Sequence, residues 1–155
     1  KIITPEKACE YAKINYPEFP SDWHITNNFT WNEAFANELR SYDCPSLEIF
    51  KQLLLTFTKL QKIREKAKKP ITVHCAYRSQ KHNEALLKQG YKPAMHSAHL
   101  YGKAVDFHIE GMTEDAVRGL IISMQLPVRI ESGTKGWVHI GIDIQPPHKI
   151  GLFKP

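Results

Sequence analysis

Histidine and aspartate occur in two short stretches of the chain whose residue types suit metal binding. His99 and Asp106 lie in the run 97–106, and His139 lies in the run 137–140. Two imidazoles and one carboxylate form a ligand set typical of zinc, with a fourth position left for water. Zinc lowers the pKa of such a water to about 7 and polarises a carbonyl group. The chemistry that this pattern indicates is therefore hydrolysis.

The first of these stretches leads into a predicted strand at 105–109. Because side chains alternate along a strand, Asp106 and His108 are predicted to share the face opposite the apolar core face. His108 is therefore a candidate for a hydrogen bond to a ligand or substrate. Gly102 permits the preceding loop to turn, so that His99 can come back toward Asp106.

The second stretch lies in a predicted strand at 137–142, in which Trp137 and His139 share one face. If this strand pairs with the first one, His139 and Asp106 line the same cleft. Hydrolysis also needs a general base. Glu131, just upstream on a neighbouring strand, is the candidate for that role.

The spacing alone is also compatible with purely structural or surface roles for these residues. A histidine on a strand is more often structural than a ligand, and a strand-end glutamate such as Glu131 is usually just exposed. The gap between His99 and Asp106 matches no standard helical or knuckle spacing. A structural role is favoured for the remaining six histidines, which are His24, His74, His82, His96, His108 and His148. Of these, His24, His82 and His148 are expected at the surface.

The elements that must position these residues follow from apolar periodicity and capping signals. Apolar residues recur every three and four positions over 47–68, which predicts a long amphipathic helix. Thr30 and Glu33 read as a capping box. The predicted helices are 5–16, a short one from Thr30 to about Arg40, 47–68, one capped by Ser79 that ends at Gly90, and one capped by Thr113. The predicted strands are 71–76, 105–109, 128–131 and 137–142.

Helices dominate the first half of the chain and strands the second, without regular βαβ units. This arrangement predicts an α+β fold with a mostly antiparallel sheet. The length of 155 residues and the 42% hydrophobic content suit a single domain with a core of its own.

Composition excludes several classes of protein. No stretch approaches the roughly 18 apolar residues of a membrane span. The three cysteines (Cys9, Cys44 and Cys75) form no CxxC pair and are expected to be free or buried. The net charge is +5. Basic residues cluster at the helix end 62–69 without interleaved aromatics, which argues against nucleic-acid binding.

Several blocks in a fixed order resemble the zinc D-Ala-D-Ala peptidase family, over roughly residues 25–142. That family includes carboxypeptidases, dipeptidases and phage endopeptidases, and its fold is shared with the hedgehog signalling domain. The resemblance divides the chain into an N-terminal extension at 1–24, packed on the domain, and a peptidase domain at 25–155. The matching blocks are SxHxxGxAxD at 97–106, WVH at 137–139, YRS with Asn83 at 77–83, and FT-x-x-E at 29–33.

The resemblance implies roles for individual residues. His99, Asp106 and His139 would be the zinc ligands, and Arg78 would match the arginine that stabilises a substrate oxygen or carboxylate. Arginine suits this role because its guanidinium offers a fixed bidentate fork. The expected substrate-binding residues are Ser97, Tyr101, Arg78, Trp137 and His108.

The chain departs from the family at the general base. Many members carry an acidic residue or histidine three positions before the last ligand, where this chain has Gly136. The branch that the chain resembles most has a glutamate at a strand end before the WVH strand, and Glu131 fits that pattern.

The resemblance implies a zinc metallopeptidase that hydrolyses peptidoglycan stem peptides, as a D-Ala-D-Ala carboxypeptidase or a related endopeptidase. The expected cofactor is Zn²⁺, with zinc-bound water as nucleophile and Glu131 as its base. A catalytically silent zinc-containing binding module of the same fold is the alternative. We expect a monomer that acts on peptidoglycan peptides, without a nucleic-acid partner or membrane span. The expected location is extracytoplasmic, or the protein is a phage lysis or tail protein.

Overall fold

A five-stranded sheet with helices packed on it forms the centre of the computed structural model, which describes residues 1–36, 38, 43–92, 97–144 and 150–154. The α+β class predicted from the sequence is confirmed. The helices are α1 (Pro5–Asn15), α2 (Trp31–Ala34), α3 (Leu47–Ala67), α4 (Gln80–Lys88), α5 (Glu114–Ser123) and a 3₁₀ helix at Ala98–Tyr101. The strands are β1 (His24–Thr26), β2 (Phe29–Thr30), β3 (Ile71–Cys75), β4 (Ala104–Ile109), β5 (Arg129–Glu131), β6 (Val138–Gly141) and β7 (Gly151–Phe153).

The long helix α3 confirms the prediction from apolar periodicity. Its inward stripe is completely buried, and each such side chain contributes roughly 1.5–3 kcal/mol of transfer free energy. The helix ends at Ala67 because Lys68 adopts a left-handed conformation with φ 56° and Pro70 follows. The buried apolar residues of the stripe are Phe50, Leu53, Phe57, Leu60 and Ile63.

The capping box at α2 is also confirmed, since Thr30 and Glu33 exchange side-chain and backbone hydrogen bonds. The predicted extension of this helix to Arg40 is wrong. The helix ends at Ala34, and residues 39–40 lie outside the described residues. The physical reason is the aromatic ring of Phe35, which leaves the helix to pack 5.2 Å from the ring of Phe50.

The five strands of the sheet lie in the order β3-β4-β6-β5-β7. Pairing is antiparallel except between β5 and β7, which are parallel. One face of the sheet carries the core, and the other is left for polar side chains. The core face is formed by Val105, Phe107, Ile109, Ile130, Val138 and Ile140, all of which are buried. β1, β2 and β7 were not predicted, because two or three residues are too few to show strand periodicity.

Two predicted N-caps are confirmed at the starts of α4 and α5. Ser79 Oγ accepts a hydrogen bond from the backbone of His82 at the start of α4, and Thr113 Oγ1 accepts one at the start of α5. α4 ends at Lys88, two residues before the predicted end at Gly90.

The N-terminal segment is part of the same core. Ala8 and Ala12 of α1 are buried, and the indole nitrogen of Trp31 donates to the carbonyl of Ile3 at 3.0 Å. The boundary that separates 1–24 from 25–155 stays a prediction. Among the described helices, none combines the length and the apolar character that a membrane crossing requires.

Candidate active site

Asp106 and His139 meet because the two strands that carry them, β4 and β6, are antiparallel neighbours in the sheet. The two residues are directly opposite partners, and His139 Nδ1 lies 2.7 Å from Asp106 Oδ1. Opposite residues of an antiparallel pair share a face of the sheet. Both side chains therefore project from the polar face.

His99 reaches the same place from the 3₁₀ helix that precedes β4. Ser97 caps this helix, and Gly102 ends it with φ 71°. A Cβ at Gly102 would meet the carbonyl oxygen of Ile49 at 3.0 Å, so the close approach to α3 also requires glycine. The turn places His99 Nε2 3.2 Å from Asp106 Oδ2.

The buried ring of His99 is oriented by the backbone behind it. Its Nδ1 lies 2.6 Å from the carbonyl oxygen of Ala76, which can only accept a hydrogen bond. Nδ1 therefore carries a proton, and Nε2 is the ring nitrogen that faces Asp106 and is left for a metal ion. This second partner is the kind of outer contact that fixes a metal-ligating imidazole.

The three side chains fit a zinc ion. One ligand atom from each of His99, Asp106 and His139 lies within 4.8 Å of the others. Donors about 2.0–2.1 Å from a tetrahedral centre lie about 3.3 Å apart, close to the 3.2 Å between His99 and Asp106. Two imidazoles and a carboxylate are also the donor types that catalytic zinc sites use.

The charges of this cluster are strongly coupled. Burial alone would raise the pKa of Asp106, but the adjacent imidazoles of His99 and His139 hold it well below its usual range. Burial alone would lower the pKa of His99, but the Asp106 carboxylate raises it to about 10. Without a metal ion, a proton on His99 therefore takes the place of the cation.

Glu131 lies beside the three ligand residues, at the end of β5. Its Oε2 is 4.0 Å from Nδ1 of His139, and its side chain is largely buried. Gly136, three positions before His139, lies in the loop between β5 and β6 with φ 93°. The structure thus places the Glu131 carboxylate within reach of the cluster, although its role as base stays a prediction.

Arg78 follows β3 and lies close to the His99 segment. Its backbone N–H donates to the carbonyl of His99 at 3.1 Å, and its Nη2 donates to Ser97 Oγ at 3.3 Å. Its Nε is buried and has no hydrogen-bond partner among the described residues. A buried guanidinium nitrogen without a partner is suited to receive an oxyanion or a carboxylate.

Two predicted substrate-binding aromatics lie at the surface of the molecule. Trp137 is 40% exposed and Tyr101 is 49% exposed, so both rings are available to a ligand. His108 instead pairs with His74, whose Nε2 lies 2.7 Å from His108 Nδ1. β3 has a bulge between Val73 and Cys75, and His74 lies within it.

The other histidines do not join the cluster in the described part of the chain. His24 Nδ1 lies 3.1 Å from the carbonyl oxygen of Asp22. His82 is only 15% exposed and pairs with the Glu38 carboxylate, so the prediction of a surface position is wrong for His82. His96 and His148 lie outside the described residues.

Sequence reasoning missed Glu38, which supports the segment that carries Arg78. Its side chain is fully buried. Oε1 accepts from the backbone of Ser79 at 3.1 Å and contacts His82, while Oε2 accepts from the hydroxyl of Tyr16 at 3.0 Å. Burial and this carboxylate raise the pKa of Tyr16, so its hydroxyl stays a donor. No local pattern marks a residue whose partners are 22 to 44 positions away.

Sequence reasoning also missed Arg118 on α5. Its guanidinium is almost completely buried and donates to the carbonyls of Glu131 and Thr134. No local pattern marks this residue, because the partners that compensate its buried charge lie 13 and 16 positions away.

Two imidazoles, a carboxylate, a neighbouring glutamate and an arginine together make a candidate metallohydrolase site. The family model described as peptidoglycan L,D-endopeptidase MepK matches residues 24–142, and the chain belongs to this family, within the M15 zinc peptidases. The resemblance inferred from the sequence is thereby confirmed. No curated protein matches the chain. Family membership makes the protein a peptidoglycan peptidase by class, and the peptidases of the M15 family are zinc-dependent.

Proposed function

We propose that the protein is a zinc metallopeptidase that cleaves a peptide bond within peptidoglycan stem peptides. The carrying observation is the convergence of His99, Asp106 and His139, whose ligand atoms lie within 4.8 Å of one another, with the Glu131 carboxylate 4.0 Å from His139. Such a set suits metal-assisted hydrolysis of an amide.

The contacts of each side chain indicate its role in this reaction. His99, Asp106 and His139 would hold the zinc ion, which supplies Lewis-acid chemistry that acidifies water and polarises a carbonyl group. Glu131 would accept the proton of the attacking water on its carboxylate. The same carboxyl group would then deliver that proton to the leaving amine.

Arg78 would bind negative charge on the substrate. Its unpartnered Nε and its Nη2 bond to Ser97 leave a guanidinium that is held in place and still has donors to offer. A preorganised cation of this kind stabilises an oxyanion or fixes a substrate carboxylate. Ser97 then acts as a positioning residue, since it holds both Arg78 and the backbone of His99.

Endopeptidase action is the specificity that we favour. Its support is the description of the matching family model, which names an L,D-endopeptidase. A D-Ala-D-Ala carboxypeptidase is the alternative, and the two differ in whether the scissile bond is internal or terminal. From this proposed substrate we also propose that the protein acts outside the cytoplasm, or that it is a phage lysis or tail protein.

Digestion of purified peptidoglycan tests this proposal. The zinc-loaded protein is incubated with cross-linked and uncross-linked stem peptides, and the new termini are identified by mass spectrometry. Glu131→Gln is expected to keep its zinc and to lose about 10²- to 10⁴-fold in rate. Glu110→Gln is the matched control, because Glu110 is exposed just beyond β4.

The outcomes separate the alternatives. Internal cleavage supports the endopeptidase, and release of a terminal D-Ala supports the carboxypeptidase. Stoichiometric zinc without cleavage of any peptide would show the silent binding module instead. Full activity of Glu131→Gln would exclude Glu131 as the base.

A further inference from the structure

A pocket opens next to Glu131. Its walls come from the end of β5, the loop that follows and the first residue after that loop. The lining residues are Glu131, Ser132, Gly133, Thr134, Lys135 and Trp137. Because Glu131 lies 4.0 Å from His139, this pocket adjoins the candidate metal centre directly.

The loop at 132–136 is held in place from α5. Arg118 Nη2 donates to the carbonyl and to Oγ1 of Thr134 at 2.7 and 2.6 Å, and Arg118 Nε donates to the carbonyl of Glu131 at 3.3 Å. Thr134 Oγ1 in turn donates to the carbonyl of Trp137 at 2.5 Å. Three residues of the pocket wall are therefore fixed through one buried guanidinium.

A second contact fixes the other end of the loop. The backbone N–H of Gly136 donates to Glu114 Oε1 at 2.5 Å. Lys135 thus lies between two anchored neighbours, Thr134 and Gly136. The backbone that carries its side chain has little freedom, although the residue itself is exposed.

The charges of the pocket are asymmetric. Among its lining residues, Glu131 is the one carboxylate and Lys135 the one cation. Within the part of the chain that the structure describes, Lys135 forms no ion pair. The side chain also borders Glu114 and Asp115 without pairing with either, so its ammonium group has no fixed partner among the described residues and is free to contact an anionic ligand. The exposed ring of Trp137 offers an apolar surface in the same pocket.

We infer that this pocket receives the amine-side product of the cleaved bond, and that Lys135 binds a free carboxylate on it. The inference rests on the proposed function, because the leaving amine must lie next to the group that protonates it, which is Glu131. If the amine-side product carries a free carboxylate, that negative charge lies close to the ammonium group of Lys135. Lys135 is thus a specificity-determining residue for the amine side of the substrate.

The inference is tested by changing the charge on the substrate and the charge at position 135. Two stem peptides are compared that differ only in a carboxylate or a carboxamide on the amine-side residue. The wild type is expected to favour the carboxylate about two- to fivefold, through KM rather than kcat. Lys135→Gln should remove this preference, Lys135→Glu should reverse it and Lys135→Arg should keep it. Lys62→Gln, on the exposed side of α3, is the control.

A binding measurement tests the proposed subsite independently of the peptidase activity. The amino product, as carboxylate or carboxamide, is titrated into the zinc-loaded protein, and the fluorescence of Trp137 is followed with Trp137→Phe as the reference. Tighter binding of the carboxylate that disappears in Lys135→Gln supports the subsite even if no stem peptide is cut. Equal binding of both products by the wild type would overturn it, whatever the outcome for the peptidase activity.

Discussion

The carbonyl oxygen of Ala76 accepts a hydrogen bond of 2.6 Å from Nδ1 of His99. Ala76 follows β3, and His99 precedes β4, so this one contact ties the loop of one strand to the loop of its neighbour. It also decides which nitrogen of the ring is left for a metal ion. The geometry of the site is therefore built into the backbone before any ion binds.

Replacement of His99 is expected to abolish tight zinc binding. His99→Gln removes a ligand and should weaken zinc affinity by more than about 100-fold, beyond the usual effect of losing an outer partner. Metal content per chain after dialysis is the measurement. His24→Gln, on β1, is the matched control and should retain its zinc. Equal zinc in both variants would contradict the ligand assignment.

The metal-free protein is expected to lose stability as the pH rises. The pKa of Asp106 is lowered, so its contribution is present above about 3.8 and is lost as the pH falls through the lower value. The pKa of His99 is raised to about 10, so its contribution is complete below 6.5 and is lost as the pH rises toward 10. Urea unfolding of the chelator-treated protein should therefore show the highest free energy of unfolding between about pH 3.8 and pH 6.5, where both contributions are complete.

The same linkage predicts how zinc affinity depends on pH. The proton on His99 must leave before its Nε2 can bind a metal ion, so zinc affinity should increase with pH. Competition with a chromogenic chelator at several pH values measures this. In Asp106→Asn the loss of stability above 6.5 should disappear, because the partner that raises the pKa of His99 is gone. An unchanged pH profile in that variant would refute the coupling.

Arg118 is expected to control the geometry of Glu131 and of the loop at 132–136. Arg118→Met leaves the carbonyls of Glu131 and Thr134 without their donor, which should cost about 1–3 kcal/mol of stability. A displaced Glu131 should also lower kcat by about 10- to 100-fold with a smaller effect on KM. Arg118→Lys should recover part of the rate. Asp115→Asn is the control, since Asp115 is 94% exposed and contacts the same guanidinium from outside.

Glu38 is expected to matter more than its position in an irregular segment indicates. Glu38→Ala leaves the Ser79 N–H and the Tyr16 hydroxyl without an acceptor, which should lower the free energy of unfolding by about 1–3 kcal/mol. Tyr16→Phe removes only one of these bonds and should cost less. Chemical denaturation measures both variants. A Glu38→Ala variant as stable as the wild type would show that the buried carboxylate contributes nothing.

The part of the site that was predictable depends on short-range rules. Strand alternation places Asp106 and His139 on one face, and Gly102 permits the turn that returns His99. These relationships involve one strand or one turn, and the printed sequence contains them. The family motif supplied the pairing of the two strands, which alternation alone does not determine.

The residues that were not predictable owe their roles to distant packing. Glu38 and Arg118 are charged residues whose burial is compensated by partners from other elements, and nothing near them in the sequence reveals those partners. The early end of α2 has a similar cause, because Phe35 packs on rings contributed by α1's following loop and by α3. The parallel pairing of β7 with β5 likewise brings together two segments about 20 residues apart, and no local pattern specifies this pairing.

The indole hydrogen bond from Trp31 to the carbonyl of Ile3 bears on how the protein can be trimmed for laboratory work. The segment that matches the family model, 24–142, excludes Ile3 and the whole of α1, and it also excludes β7, which pairs with β5 beside Glu131. Expression of that segment alone would uncover aromatic core surface at one end and an open strand edge at the other, and both promote aggregation. The segment that matches the family model is thus shorter than the segment whose contacts hold the fold together.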